Sequence, residues 1–393
     1  MPSMLMSTWF FQMGFSACMP CLLTAMASVG QKLKMPESMP ENILGPTSSS
    51  PTASTPAFFG HAHLHTHAVA PPGICPRHNW QLEEILALYN LPLMELLYAA
   101  MSTHRAVFGP GHRVQMCSLL SIKTGGCSED CAYCTQSIHH GGTQNVQKLM
   151  PLEEVVEAAR AAQKVGATRF CMGAAWREVR EGAHFEAVLE MVRQVRALGL
   201  EVCCTLGMLT ASQACRLKEA GLHAYNHNLD TSPEFYGNIV STHTYEERLQ
   251  TLEHVRKAGI HVCCGGILGM GESIADRCKM LLTLANQPEH PESVPINALI
   301  ALPGTPLEGR PTPDAFEMLR TIATARLLMP TSKIRMAAGR SAMSMEAQAL
   351  CMLAGANSLF FCEKLLTAPN SPAEADLALL SKLGATPMEA HNS

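Results

Sequence analysis

The chain has 393 residues, more than one ordinary domain but within reach of a single barrel of alternating strands and helices with tails. Its apolar share is 47%, its charged share 16% and its formal net charge -4 with the signs mixed, which supplies a large core and argues against a nucleic-acid face or a polybasic membrane patch. Of sixteen cysteines many lie inside strand-like runs such as Arg169–Gly173 and they do not sit in a short, loop-rich disulfide framework, so a reduced interior is expected.

Residues 1–77 differ from all that follows. The first charge is Lys32 and the first arginine is Arg77. The stretch from Met4 to Val29 is apolar, but it lacks a basic start and is interrupted by Ser, Gln and Pro20, so it fits neither a signal peptide nor a membrane span. The scarcity of arginine weakens a mitochondrial transit peptide. Pro46 to Pro56 is rich in Ser, Thr and Pro and reads as linker. His61, His63, His65 and His67 alternate with small or apolar residues and are expected to form a loose tract without a fixed metal site. The segment is expected to be a disordered or atypical leader that carries no chemistry.

Order is expected from His78–Trp80 onward. Leu82, Ile85, Leu86, Leu88, Leu91, Met94, Leu96 and Leu97 recur at mostly helical spacing, broken at Asn90–Pro92, which predicts two short helices capping one end of the core.

The stretch Lys123–Ser137 contains Cys127, Cys131 and Cys134, spaced C-x3-C-x2-C. Three thiolates on one tight loop can each hold an iron of a cubane cluster and leave the fourth iron open to a small molecule. The zinc alternative wants paired C-x2-C units or Cys/His sets, and no second pair of suitable spacing follows. The loop, with aromatic Tyr133 before the last cysteine, resembles the signature of the radical S-adenosylmethionine (SAM) enzymes. That resemblance implies a 4Fe-4S cluster whose open iron is chelated by the amino and carboxylate groups of SAM, with electron transfer releasing a 5'-deoxyadenosyl radical.

From Cys117 onward, short apolar runs lead into amphipathic stretches at regular intervals, a pattern that favours parallel strands with crossover helices. The predicted strands are Ser118–Ile122, Thr168–Gly173, Glu201–Thr205, Ala224–Leu229, His261–Ile267, Val294–Leu299, Lys333–Ala337 and Asn357–Phe361. Predicted helices include Leu152–Val165, His184–Leu198, Tyr245–Ala258 and Pro313–Leu328. Eight such units predict a closed (β/α)8 TIM-type barrel of class α/β over residues 78–386, with 387–393 as a short tail.

Alternate residues of a barrel strand point inward. With Phe170 and Met172 on the helix side, Arg169, Cys171 and Gly173 face the lumen. By the same rule Val202 and Cys204 turn Glu201, Cys203 and Thr205 inward, and Val262 and Cys264 do so for His261, Cys263 and Gly265. Ile334 and Met336 pack outward, and Arg335 looks in with Lys333. An ordinary lumen is filled by Val, Ile and Leu. A single inward cysteine is usually a buried apolar residue, but three cysteines with an arginine that is costly to bury unpaired point to a second metal centre. Asn226, Asn228 and Asp230 fall at i, i+2 and i+4 on one side of a strand. Such residues at a strand end often make turns; on one shared face, amides suit a urea-like or amide-bearing substrate and a carboxylate suits paired sugar hydroxyls.

From about Trp80 to Thr386 the chain resembles biotin synthase. The stretches that carry the resemblance are Ser118–Gly125 with the cysteine loop, Thr168–Trp176, Tyr225–Gly237, Gly265–Glu272, Ser293–Asn297 and Met329–Ser332. It implies conversion of dethiobiotin to biotin with consumption of SAM. It further implies that Cys127, Cys131 and Cys134 hold the 4Fe-4S cluster, and that Cys171, Cys203, Cys263 and Arg335 hold a 2Fe-2S cluster supplying the sulfur. Asn226, Asn228 and Asn297 would hold the ureido ring, Asp230 with Asn228 the SAM ribose, and Arg248 the SAM carboxylate, with Tyr133 also at the SAM site. Expected partners are a flavodoxin- or ferredoxin-type electron donor, the iron-sulfur assembly machinery and a second copy of the chain as a homodimer. A cytoplasmic location is expected, or a mitochondrial one if the leader is a targeting segment. The rival expectations are another radical SAM barrel enzyme, such as a mutase or a cofactor maturase, a non-catalytic iron-sulfur carrier, and a zinc-structured binding protein.

Overall fold

The computed structural model describes residues 76–140, 145–362 and 364–390. Residues 1–75, which include the alternating histidines and nearly all of the leader, and residues 391–393 lie outside the described residues.

Short apolar runs rich in Val, Ile and Cys become parallel strands wherever an amphipathic helix follows to cover them. The strands are β1 (Arg113–Lys123), β2 (Arg169–Ala174), β3 (Glu201–Thr205), β4 (Ala224–Asn226), β5 (His261–Cys263), β6 (Gly266–Leu268), β7 (Ser293–Ala298), β8 (Lys333–Met336) and β9 (Ser358–Phe360). They follow one another in sequence order, with β5 and β6 both on β7, and β1 pairs with β9 to close a parallel barrel. The expected (β/α)8 architecture is therefore present.

Helices α1 (Leu82–Tyr89) and α2 (Leu93–Phe108) precede the barrel. The crossovers are α3 (Leu152–Lys164), α4 (Ala183–Ala197), α5 (Ala211–Glu219), the short α6 (Pro233–Tyr236), α7 (Tyr245–Lys257), α8 (Ile274–Ala285), α9 (Ala315–Leu328) and α10 (Met345–Leu353); α11 (Ala373–Leu383) follows β9. Capping boxes fix the starts of α5, α7 and α8, where Thr210, Thr244 and Ser273 each exchange hydrogen bonds with Gln213, Glu247 and Asp276 three residues on. The four predicted helices match to within about two residues, the usual spread of helix ends. Among the described residues no single helix is long and apolar enough to cross a membrane.

Three strand predictions are corrected. The first strand begins five residues before Ser118, because Arg113 and Val114 pair with Thr386 and Pro387, and Gln115 and Cys117 pair along β9 and β2. The fourth stops at Asn226, where the chain leaves the ladder toward Asp230, a non-glycine residue at φ 66. The predicted fifth strand is two pieces. Pro295 of β7 faces the break; it has no N–H for the ladder, and a Cβ at Gly265 would lie 1.9 Å from its carbonyl oxygen. Two features went unread: a hairpin of β10 (Lys364–Leu365) and β11 (Ala368–Pro369), and β12 (Thr386–Pro387), which extends the sheet beside β1 where the tail was expected to begin.

The strands divide two cores. Phe170, Met172, Val202, Cys204, Val262, Cys264, Ile334 and Met336 join the layer under the helices. Cys117, Cys171, Cys203, Ala224 and Cys263 form a separate cluster in the lumen. His261 departs from its expected inward place: it ends up exposed at the start of β5. Below the thiols Arg169 seals the lumen, donating to Glu201 (2.8 Å), Glu292 (2.9 Å) and Ser293 Oγ (3.2 Å), while Lys333 pairs with Glu292. Glu201, His223 and Glu292 come close enough to share a metal ion, but two cations already balance the two carboxylates there.

Candidate active site

The cysteine loop leaves β1 through Gly125 and Gly126, at φ 74 and 68, a pair of left-handed positions that side-chain-bearing residues rarely take. Backbone bonds then fold it tightly: Cys127 N–H donates to Gln136 O (2.9 Å), Ile138 N–H to Cys127 O (2.9 Å) and Cys134 N–H to Cys131 O (2.9 Å). Cys131 is buried and the other two are half-buried. Burial pushes all three thiols up, Cys134 to about 11, so each holds its proton at neutral pH unless a metal displaces it.

Tyr133 turns from this loop toward β4. Its hydroxyl donates to Asp230 Oδ2 (2.8 Å), which also pairs with Arg248 Nη2 (3.1 Å). Arg248 donates further to Asn228 O (2.6 Å) and to the Tyr236 hydroxyl. Arg248, the arginine expected at the SAM carboxylate, is buried and pairs with the Asp230 carboxylate.

Asn226 and Asn228 follow the strand-end spacing seen in the sequence. Asn226 Nδ2 donates to Asn228 Oδ1 (3.1 Å) and meets Cys263 Sγ at 3.3 Å, while its Oδ1 accepts from Thr205 Oγ1 (3.2 Å). Asn297 lies across the lumen on β7 and uses both ends of its amide on the backbone, donating to Gly266 O (3.0 Å) and accepting from Ala338 N–H (3.0 Å). It ties β6 to the segment that follows β8.

One cavity of about 240 Å³ joins these levels. Its lining includes Tyr133, Asn228 and Asp230, Thr205, Asn226 and Asn297, and Cys171, Cys203 and Arg335. Leu119, Ile267, Phe360, Leu365 and Leu366 make the walls apolar, the last two contributed by the hairpin. Leu366 is held at φ 50, and its Cδ2 occupies the space that a Cβ on Gly173 would need.

At the deep level Cys171 and Cys203 are register partners, and the Cys203 thiol bonds to both Cys171 and Cys263. These hydrogen bonds, with Arg335 nearby, hold Cys171 below and Cys263 well below the ordinary thiol range, while the same hydrogen bonds and burial hold Cys203 well above it. Arg335 reaches Cys263 Sγ at 3.5 Å and is steadied by Ser358 Oγ (2.9 Å) and Gln115 Oε1 (3.1 Å). The four residues singled out by strand alternation are therefore neighbours. Sequence reasoning missed Gln115, Cys117 and Ser358. Extending the first strand by three residues would have put Gln115 and Cys117 on its inward face.

Three thiols gather at each level, and the nearest carboxylates at the loop, Glu129 and Asp230, are engaged by Arg177 and by Tyr133 and Arg248, so the donors on offer are soft sulfur atoms, a set that fits iron-sulfur clusters better than hard cations.

Comparison with known proteins gives the lineage. Residues 121–284 match the radical SAM superfamily, and residues 295–386 match the biotin and thiamin synthesis associated domain. The chain is 60% identical over 337 residues to biotin synthase of Myxococcus xanthus, covering 86% of this chain and 96% of that one. It is 58% identical to biotin synthase of Sorangium cellulosum, with 81% and 91% covered. Among solved structures, methylornithine synthase superposes with a TM-score of 0.66 at 19% identity, covering 79% of this chain and 94% of that one. The FeFe-hydrogenase maturase HydG from Carboxydothermus hydrogenoformans gives 0.68 at 17%, with 80% and 77% covered. At such identities these two speak for the fold alone. Identity near 60% over most of both chains decides the matter: the chain belongs to the biotin synthase family of radical SAM enzymes.

Proposed function

We propose that this chain converts dethiobiotin to biotin with the cysteine loop and the deep thiols at opposite ends of one cavity. In this reading Cys127, Cys131 and Cys134 hold a 4Fe-4S cluster, and Cys171, Cys203, Cys263 and Arg335 hold a 2Fe-2S cluster. When bound, the two clusters supply the electron that cleaves SAM and the sulfur atom that enters the product. The observation that carries the proposal is that one cavity is lined by Asp230 and Tyr133, by Asn226, Asn228 and Asn297, and by Cys171, Cys203 and Arg335.

The polypeptide's own work is to bind, orient and exclude water. Asp230, fixed by Tyr133 and Arg248, presents a carboxylate to paired ribose hydroxyls. Asn226 and Asn228 offer amide groups to a ureido ring, which needs both donors and acceptors. Asn297 keeps the wall beside them in place. Leu119, Ile267, Phe360, Leu365 and Leu366 keep the cavity poor in water, so a reactive carbon radical meets the substrate held beside it. A flavodoxin- or ferredoxin-type electron donor, cluster delivery by the assembly machinery and a homodimeric state complete the proposal and rest on family membership alone.

The test is anaerobic reconstitution with iron and sulfide, then incubation with reductant, SAM and dethiobiotin. Biotin, methionine and 5'-deoxyadenosine are the expected products. SAM cleavage with dethiobiotin left intact would overturn the proposal.

A further inference from the structure

A fourth thiol shares the deep chamber. Cys117 is fully buried on β1 in the same cluster as Cys171, Cys203 and Cys263. Its sulfur lies 3.4 Å from Gln115 Oε1 and 3.6 Å from Ser358 Oγ. Those are the two atoms that accept Arg335 Nη2 and Nε, at 3.1 and 2.9 Å. Guanidinium and thiol therefore rest on the same two oxygen atoms, and Arg335 reaches Cys263 Sγ from there. Thiolate is a stronger donor to iron than an arginine nitrogen and the usual ligand of such clusters. A small apolar residue, or the serine that hydroxyl chemistry would allow, would fill the same site without this capacity.

We propose that Cys117 is a reserve sulfur ligand of the deep chamber, able to take the coordination position of Arg335. The inference rests on the two-cluster reading above. In the exchange an iron–nitrogen bond breaks, an iron–sulfur bond forms, and the thiol proton passes to the released guanidine, so charge and atoms balance. Four thiolates then close the ring of Cys117, Cys171, Cys203 and Cys263.

The test needs no turnover. Wild-type protein, R335M, C117S and R335M/C117S are reconstituted anaerobically, and iron, sulfide, Mössbauer spectra and reduction potential are measured for the second cluster. Circular dichroism melts check folding, and R335K, which keeps the buried charge, replaces R335M if the latter does not fold. R335M is expected to keep the cluster at a lower potential, because an anionic ligand has replaced a nitrogen donor. The double variant is expected to hold that iron about tenfold more weakly than R335M, and C117S alone to show the wild-type spectrum. Equal iron content and spectra in R335M and R335M/C117S, whether cluster is kept or lost, would overturn the inference while leaving the two-cluster reading intact. Wild-type protein that takes up no second cluster would remove that reading and the inference with it.

Discussion

At the scale of single residues the chemistry depends on what holds each polar group. Asp230 is buried, backed by one arginine and one tyrosine, and carried on a left-handed backbone position, so its carboxylate is preorganised. Asp230→Asn removes the charge that Arg248 faces. It is expected to weaken SAM binding by roughly tenfold to a hundredfold with the cysteine-loop cluster still assembled; anaerobic equilibrium dialysis would measure it, and an unchanged Kd would contradict the role. His104 gives a residue-scale prediction on stability. It is buried on α2, neither ring nitrogen has a hydrogen-bond partner among the described residues, and burial, then the charge of Arg326, pushes its pKa down to about 3. The unfolded chain therefore binds this proton first, and the folded state loses stability as pH falls below about 6.5 toward 3, by at most about 1.4 kcal/mol per pH unit. His104→Phe should flatten the fall in Tm between about pH 7 and pH 5 relative to wild type; an equal slope would contradict the assignment. Much of the site was legible at this scale because a period of two sorts inward from outward residues, which separated Cys203 from Cys204 and Cys263 from Cys264. What it could not give was the partner of each long side chain: Arg248 and Asn297 turn to the protein's own backbone and carboxylate, and spacing holds no record of that.

At the scale of elements the informative departure is the break between β5 and β6. Pro295 interrupts the ladder, Gly265 passes close beneath it, and the Gly265 carbonyl accepts the Leu229 and Asp230 N–H groups at 3.1 Å each. The gap thus seats the segment that carries Asp230. Gly265→Ala would set a methyl 1.9 Å from backbone oxygen, and is expected to cost more than about 3 kcal/mol or to abolish folding. Gly237→Ala, with nothing within 4 Å of the new Cβ, should stay within about 0.5 kcal/mol of wild type. Denaturant melts of the pair would decide it; equal stabilities would contradict the packing account. The break was hidden from the sequence because a run such as His261–Ile267 reads as one apolar strand until its neighbour is known. The hairpin over the cavity was hidden for another reason. Strands of two residues are too short to show a period.

At the scale of the whole molecule the repeated strand-helix pattern made the barrel legible, since eight units of one handedness have few other ways to close. The segments matched by the two families, 121–284 and 295–386, each contribute strands to the same closed sheet. Arg340, just after β8, grips Asp376 of α11 with both guanidinium nitrogens at 2.6 Å, deep in the protein. Asp376→Ala leaves that arginine buried without its charge partner and is expected to cost about 3–5 kcal/mol. An apolar replacement of both residues should cost less, and a double variant no more stable than D376A would contradict the account. The central claim is that sulfur held by the deep thiols reaches a substrate bound in the shared cavity. The direct measurement is the mass of the product after the clusters are rebuilt with sulfide of a heavy isotope and the enzyme is allowed to turn over in unlabelled buffer. The heavy atom is expected in the biotin of the first turnover, whereas biotin carrying sulfur of natural mass would contradict it.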